Sequence, residues 1–174
     1  MELVSLADVA PFPEAPETGA TFEDNALAKA RDGYAATGLA CIADDSGLAV
    51  VALNGMPGVL SARWSGQHGD DAANTSLLLA QLRDVPDARR GAAFVSACAL
   101  VWGPEPTCQT VVRGEWVGAI AREPHGEGGF GYDPVFIPAG TKRTAAQLSP
   151  AEKDAASHRG QALELLLPAL RSLV

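Results

Sequence analysis

LACIADDSGLAV, residues 39–50, is an apolar run broken by two adjacent aspartates and a Ser-Gly pair before apolar residues resume. Its reading decides the fold. LACIA and LAVVAL have the composition of two short strands, with Asp44 to Gly47 between them where one would turn into the next. Asp-Ser-Gly is ordinary turn chemistry, because an Asp side chain bonds its own backbone. Adjacent carboxylates nevertheless repel, and burial makes that worse. Either Asp44 and Asp45 lie on a solvated turn, or something positive sits between them.

Working outward, Thr21 and Asp24 form a capping-box signature, and Phe22, Leu27, Ala30 and Tyr34 keep a helical spacing up to a stop at Gly38. Upstream, ELVSL reads as a short strand and PFPEAPETG as loop. Downstream, NGMPGVLSARWSG (54–66) is a glycine- and proline-rich loop, and a helix is predicted over about 71–83 with Leu77, Leu78 and Leu82 on one face. Extended segments at 92–102 and 107–120, joined by GPEP, predict a hairpin. Ser149, Pro150 and Glu152 mark a final helix start, with an apolar stripe of Leu163, Leu166, Leu167 and Leu170 that Pro168 should kink or end. These elements make a single α/β domain over residues 1–174, a mixed sheet with helices packed on it.

Composition narrows the function. A formal net charge of -8 argues against a broad grip on nucleic acid. Cys41, Cys98 and Cys108 are odd in number and lack C-x-x-C spacing, which argues against a disulfide framework or a zinc site and for a reducing compartment. Glu2 and Asp8 make the start unlike a secretory signal, and the apolar stretch at 92–102 is too short to span a bilayer. The expectation is a cytoplasmic protein with neither membrane nor nucleic-acid partner. Walker, Rossmann, H-E-x-x-H and G-x-S-x-G patterns are all absent.

Three features could carry chemistry. Asp44 and Asp45, joined by Glu17 from the Pro-rich loop, would suit Mg²⁺, which takes oxygen ligands and keeps several waters. The plainer readings are an Asx turn and a solvated loop acid. GEGGFGYDP (126–134) sets Phe130 and Tyr132 among glycines that permit close backbone approach; it is either a flexible loop or a pocket where an aromatic face meets a flat ligand. Lys142, Arg143, Lys153, His158 and Arg159 gather cations near the last helix, as an acceptor site or a solvated helix end. His68 and His125 read as loop residues without a role.

Read together, ETGATFEDNALAKA, ADDSGL, PGVLSARWSG, GGFGYDP, LSPAEK and SHRG resemble the inosine/xanthosine triphosphate pyrophosphatases, in that family's order from residue 17 to about 172. The resemblance implies Mg²⁺-dependent hydrolysis of non-standard purine nucleoside triphosphates (ITP, dITP, XTP) to the monophosphate and pyrophosphate, which keeps them out of DNA and RNA. It implies a two-lobed α/β fold, a long mixed central sheet with flanking helices around a nucleotide cleft, and a homodimer. By the same resemblance, Asp45 is the catalytic carboxylate and a metal ligand, with Glu17 and Asp44 helping to hold the ion. Ser46 contacts the nucleotide, Phe130, Gly131, Tyr132 and Asp133 line the base pocket with Phe130 as stacking face, and Lys153, His158 and Arg159 read the base. Donor-only Lys153 and Arg159 suit a 6-keto oxygen and mismatch adenine's amino group; a buried mismatch of that kind discriminates by ~10⁴-fold.

The family also opens with a strand and a Thr/Ser-x-Asn-x-x-Lys phosphate loop, whereas Met1-Glu2-Leu3-Val4 matches its second strand. The expectation is a chain incomplete at its N-terminus through a misplaced start. The alternative is a catalytically silent nucleotide-binding or dimerisation module.

Overall fold

A computed structural model of the chain describes residues 3–13 and 15–173. The first helix, α1 (Phe22–Thr37), has the bounds that its signals predict. Thr21 Oγ1 accepts the Asp24 N–H, Asp24 returns the bond to the Thr21 N–H, and Gly38 closes the helix at φ 69°. Residues 39–50 do not form two strands. They form one, β1 (Cys41–Val50), with Asp44 to Gly47 inside it.

β1 is followed by a 3-10 helix at Gly58–Arg63, then α2 (Asp71–Gln81), β2 (Gly91–Val101), β3 (Gln109–Ile120) and β4 (Phe136–Pro138). α3 (Pro150–Ala156) and α4 (His158–Arg171) complete the order, Ser149 and Ser157 each capping one of them. The α/β class with flanking helices is as expected. The sheet, however, is a four-stranded antiparallel meander in the order β1-β2-β3-β4, so "mixed" is corrected. Residues 3–6, the described part of the strand expected at ELVSL, form no strand. Ser5 and Asp8 satisfy each other's backbone groups and turn the chain into a 3-10 helix at Leu6–Asp8.

Strand alternation assigns the faces. Val95, Ala97, Ala99 and Val101 of β2 pack against Phe22, Ala26 and Ala30 of α1. The opposite face carries Phe94, Cys98 and Leu100, which meet Leu78 and Leu82 of α2 and Ala162 and Leu166 of α4. Gly114 lets α4 lie directly on β3, since a Cβ there would come within 2.6 Å of the Ala162 nitrogen. The predicted leucine stripe is narrower than expected: Leu166 is buried, but Leu163 and Leu167 are exposed. Pro168 lies within α4, which runs on to Arg171.

Gly47 explains the Ser-Gly pair without any turn. A Cβ at Gly47 would strike Ser61 Oγ and Gly58 O, so its absence lets the 3-10 helix settle on β1. Ser61 then donates to Gly58 O and accepts the Leu48 N–H at 2.8 Å. At the far end of α2, buried Arg90 donates to the carbonyls of Leu82, Ile120 and Ala121, tying that helix to the sheet. Among the described residues, no helix is long and apolar enough to cross a membrane.

Candidate functional site

Because Asp44 and Asp45 are consecutive in a strand, their side chains leave opposite faces. Asp45 points toward α1. Its Oδ2 accepts from Asn25 Nδ2 at 3.1 Å and its Oδ1 pairs with Lys29 Nζ at 2.9 Å. Asn25 and Lys29 are four residues apart on one face of α1, and Asn25 is held in turn by the Gly19 N–H. Lys29 Nζ also contacts Glu17 Oε1 at 2.5 Å, so one ammonium sits between two carboxylates. Arg63, closing the 3-10 helix, reaches Glu17 from the other side at 3.2 Å. The side chain of Asp45 is only 8% exposed.

The titration directions follow from these contacts. Burial pushes the Asp45 carboxyl above its ordinary value, and the bonds from Lys29 and Asn25 offset this only in part. Glu17 is pushed up by burial too, but Lys29 and Arg63 outweigh it and hold the group below its ordinary value. Burial lowers Lys29, and its two carboxylate partners more than reverse that.

Asp44 faces α4 instead. Its Oδ2 accepts from Arg159 Nε and from Ser46 Oγ, at 3.1 and 3.0 Å. Side-chain alternation thus carries the Asp44 carboxylate, expected beside Glu17 and Asp45, to the other side of the sheet. The same alternation puts Ser46 with Asp44. Only the Asp44 carbonyl turns back toward the Glu17–Asp45 pair, accepting from Lys29 at 3.3 Å.

A second group assembles around GEGGFGYDP. Asp133, buried, accepts the Phe130 N–H at 2.9 Å and pairs closely with Lys153 of α3. The Lys153 ammonium lies 4.8 Å from the centre of the Phe130 ring, within cation–π range. Phe130 is 68% exposed, whereas Tyr132 is buried and donates its hydroxyl to Ser61 O. The Tyr132 side chain thus packs in the core beneath the loop. Gly129 and Gly131 both have positive φ, at 75° and 60°, which favours glycine at each.

His158 opens α4 and stacks on Phe94, with centroids 5.1 Å apart and planes 14° apart. Its Nδ1 is buried without a hydrogen-bond partner among the described residues, and burial first, then Arg159 and Lys153, pull its pKa down to about 4. Arg143 pairs with Glu152 at an exposed helix start, so it follows the solvated reading. Lys29, Asn25 and Arg63 were not anticipated as site residues. The signal for the first two was the i, i+4 spacing of Asn25 and one of the chain's three lysines; Arg63 gave none.

The donor set of Glu17 and Asp45 is all oxygen, which suits Mg²⁺, an ion commonly held by one or two carboxylates and completed by substrate phosphates and water. Among the described residues, no group of three or more His, Cys, Asp or Glu side chains is placed to hold a metal alone.

Fold and site together define an α/β protein with a carboxylate–ammonium cluster against one face of the sheet and a cation-capped aromatic loop on the other. The chain belongs to the Ham1 family, which it matches over residues 1–169. It is 77% identical to a protein of Mycobacterium tuberculosis (strain H37Rv) named dITP/XTP pyrophosphatase, over 99% of this chain and 83% of the relative. A dITP/XTP pyrophosphatase of Nocardia farcinica is 76% identical over the same shares. The crystal structure of a nucleoside-triphosphatase / dITP/XTP pyrophosphatase from Mycobacterium abscessus superimposes with a TM-score of 0.83 at 70% identity, covering 97% of this chain and 85% of that one. A HAM1 protein from Coxiella burnetii gives 0.86 at 46% identity, over 92% and 81%.

Proposed function

We propose that this enzyme is a nucleoside triphosphate pyrophosphatase that hydrolyses ITP, dITP and XTP to the monophosphate and pyrophosphate with Mg²⁺. The observation that carries the base reading is Phe130. A large aromatic ring is left two-thirds exposed on a loop whose neighbouring peptide groups are held by hydrogen bonds, with an ammonium beside its face. Core packing gives no reason for that exposure, whereas a flat base does, at ~1–3 kcal/mol for stacking. Family membership supplies the reaction.

Asp45 is the general base. Burial raises its proton affinity, and Asn25 and Lys29 fix its two oxygens so that the carboxylate is oriented before substrate arrives. Lys29 favours the ionised form of both Glu17 and Asp45, which two bare carboxylates side by side would resist. Glu17 and Asp45 would hold the Mg²⁺. The ion would supply neutralisation of phosphate charge and orientation of the attacking water. Lys153 and Arg159 offer donors to a 6-keto oxygen, and His158, neutral at physiological pH, offers its unpartnered Nδ1. Homodimer formation rests on the family resemblance.

The test is product identity. The 174-residue protein is incubated with ITP and Mg²⁺ beside ATP and GTP controls. Selective release of IMP and pyrophosphate is expected. Release of inorganic phosphate with IDP would overturn the reaction, and nucleotide binding without turnover would favour the silent module.

A further inference from the structure

The chain holds a second pair of adjacent aspartates, Asp70 and Asp71, outside every motif assigned above. They divide the work. Asp70 is the N-cap of α2 and accepts the Ala73 N–H at 3.0 Å. Asp71, in the first turn, is free to reach outward, and its Oδ2 accepts the N–H of Gly131 at 2.7 Å across 60 residues of sequence. One turn later on the same helix face, Thr75 Oγ1 lies 3.4 Å from the Gly131 carbonyl.

We propose that Asp71 is a positioning residue that fixes the Phe130 backbone, and through it the stacking face offered to the base; the inference rests on the function proposed above. Two peptide N–H groups bracket Phe130. Its own is held by Asp133 at 2.9 Å and the next, that of Gly131, by Asp71. With both peptide planes pinned, the φ and ψ of Phe130 have little room, and the exposed ring projects from a set direction. Without Asp71 the second plane keeps only the longer bond from the Asp133 N–H to the Phe130 carbonyl, at 3.2 Å. Gly131, at φ 60° and with no atom within 4 Å of where a Cβ would be, has little packing of its own to resist rotation.

The helix that carries Asp71 is itself firmly seated. Asn74 is buried, accepting the Ser65 N–H at 2.7 Å and donating to Ala62 O at 3.2 Å. Leu78 and Leu82 are in the core, and Arg90 bonds the Leu82 carbonyl. A tether is useful only when its anchor does not move, and α2 meets that condition.

An acid in a first helical turn also favours the helix dipole, so the test must separate the two roles. Asp71→Ala and Asp71→Asn are compared with the unaltered protein by hydrogen–deuterium exchange of peptides covering 126–134 and 72–82, and by steady-state kinetics on ITP with Mg²⁺. Asp71→Ala should speed exchange in the 126–134 loop about tenfold while 72–82 stays protected. Its KM should rise about tenfold with kcat within about threefold, the scale of one charge-assisted hydrogen bond to a loop. Asp71→Asn keeps an acceptor oxygen and should return KM to within about threefold of the starting value. Unchanged loop exchange in Asp71→Ala, fraying of α2 in step with the loop, or an Asn variant as impaired as the Ala variant would each overturn the proposal. Absence of ITP turnover by the unaltered protein would defeat the function proposed above, and the exchange comparison would still decide whether Asp71 holds the loop.

Discussion

Asp44 and Asp45 share a peptide bond and face opposite sides of the sheet, Asp44 against Arg159 at 3.1 Å and Asp45 against Lys29 at 2.9 Å. The repulsion expected of neighbouring carboxylates is relieved twice over, by separation across the sheet and by a cation for each. The pair differs in burial. Asp44 sits in a half-exposed ion pair of the kind usually worth ~0–1 kcal/mol, whereas Asp45 is nearly closed off from solvent.

Asp45→Asn should therefore separate chemistry from folding. The amide keeps the shape and an acceptor for Asn25 but loses the proton-accepting charge and the pairing with Lys29. On the function proposed above, in which Asp45 is general base and metal ligand, pyrophosphate release from ITP should fall by about a thousandfold or more. The melting temperature should change by only a few degrees. Undiminished turnover would remove Asp45 from its catalytic role.

Replacing Lys29 by Met should leave Glu17 and Asp45 facing each other without their shared cation. Lys29 has a raised pKa in the folded state, so its stabilising contribution is present below its ordinary value of 10.5 and is lost as pH rises through the folded one. In the Met variant that contribution is gone throughout. Both carboxyls then lose the partner that lowers them, and ionising the pair costs stability as pH rises through the acid range. Loss of about 1–3 kcal/mol is expected at pH 8, with a smaller deficit near pH 4. Thermal melts of variant and unaltered protein at both pH values check this; a deficit that does not grow with pH contradicts it.

Several elements were readable from local chemistry alone. Thr21, Asp24 and Gly38 bound α1, and Ser149 with Glu152 starts α3, because caps act within four residues of sequence. The continuity of β1 was not readable. Asp-Ser-Gly has the local chemistry of a turn, and what holds it extended is distant: the β2 ladder, the 3-10 helix resting on Gly47, and Arg159, 115 residues away. Once β1 is known to be continuous, period-two alternation alone places Asp44 opposite Asp45. Glu17, the aspartate pair, the Phe130 loop and the cation cluster stood out by residue chemistry alone, whereas their individual roles came from the resemblance, since no single stretch specifies them. Lys29 was missed although its i, i+4 relation to Asn25 was in plain view, because a lysine on an exposed-looking helix is ordinarily a solvated one.

Arg159→Ala should erode the preference for ITP over ATP. Arg159 carries a donor-only side chain beside Asp44 at the start of α4. In the base recognition proposed above, losing it removes a partner for the 6-keto oxygen while relieving the mismatch with adenine's amino group. The ratio of kcat/KM values should drop about tenfold or more, with the fold unaffected because the pair with Asp44 is half-exposed. An unchanged ratio would mean that another group reads that oxygen.

His158 should give the stability curve a distinct acid limb. Its folded pKa of about 4, against an ordinary 6.5, arises from burial against Phe94, with Arg159 and Lys153 adding to it. A base whose folded pKa is depressed binds its proton more readily when unfolded, so its contribution is full above pH 6.5 and is lost progressively as pH falls to about 4. Below that it levels off. Carboxylates titrate in the same range, so the informative quantity is the difference between the unaltered protein and His158→Gln, which cannot protonate. The unaltered protein should lose melting temperature relative to the Gln variant between pH 6.5 and 4, and the two curves should run parallel above pH 7. Parallel curves across the whole range would mean that His158 is not held neutral by its surroundings, and the neutral imidazole proposed for base recognition would then be lost.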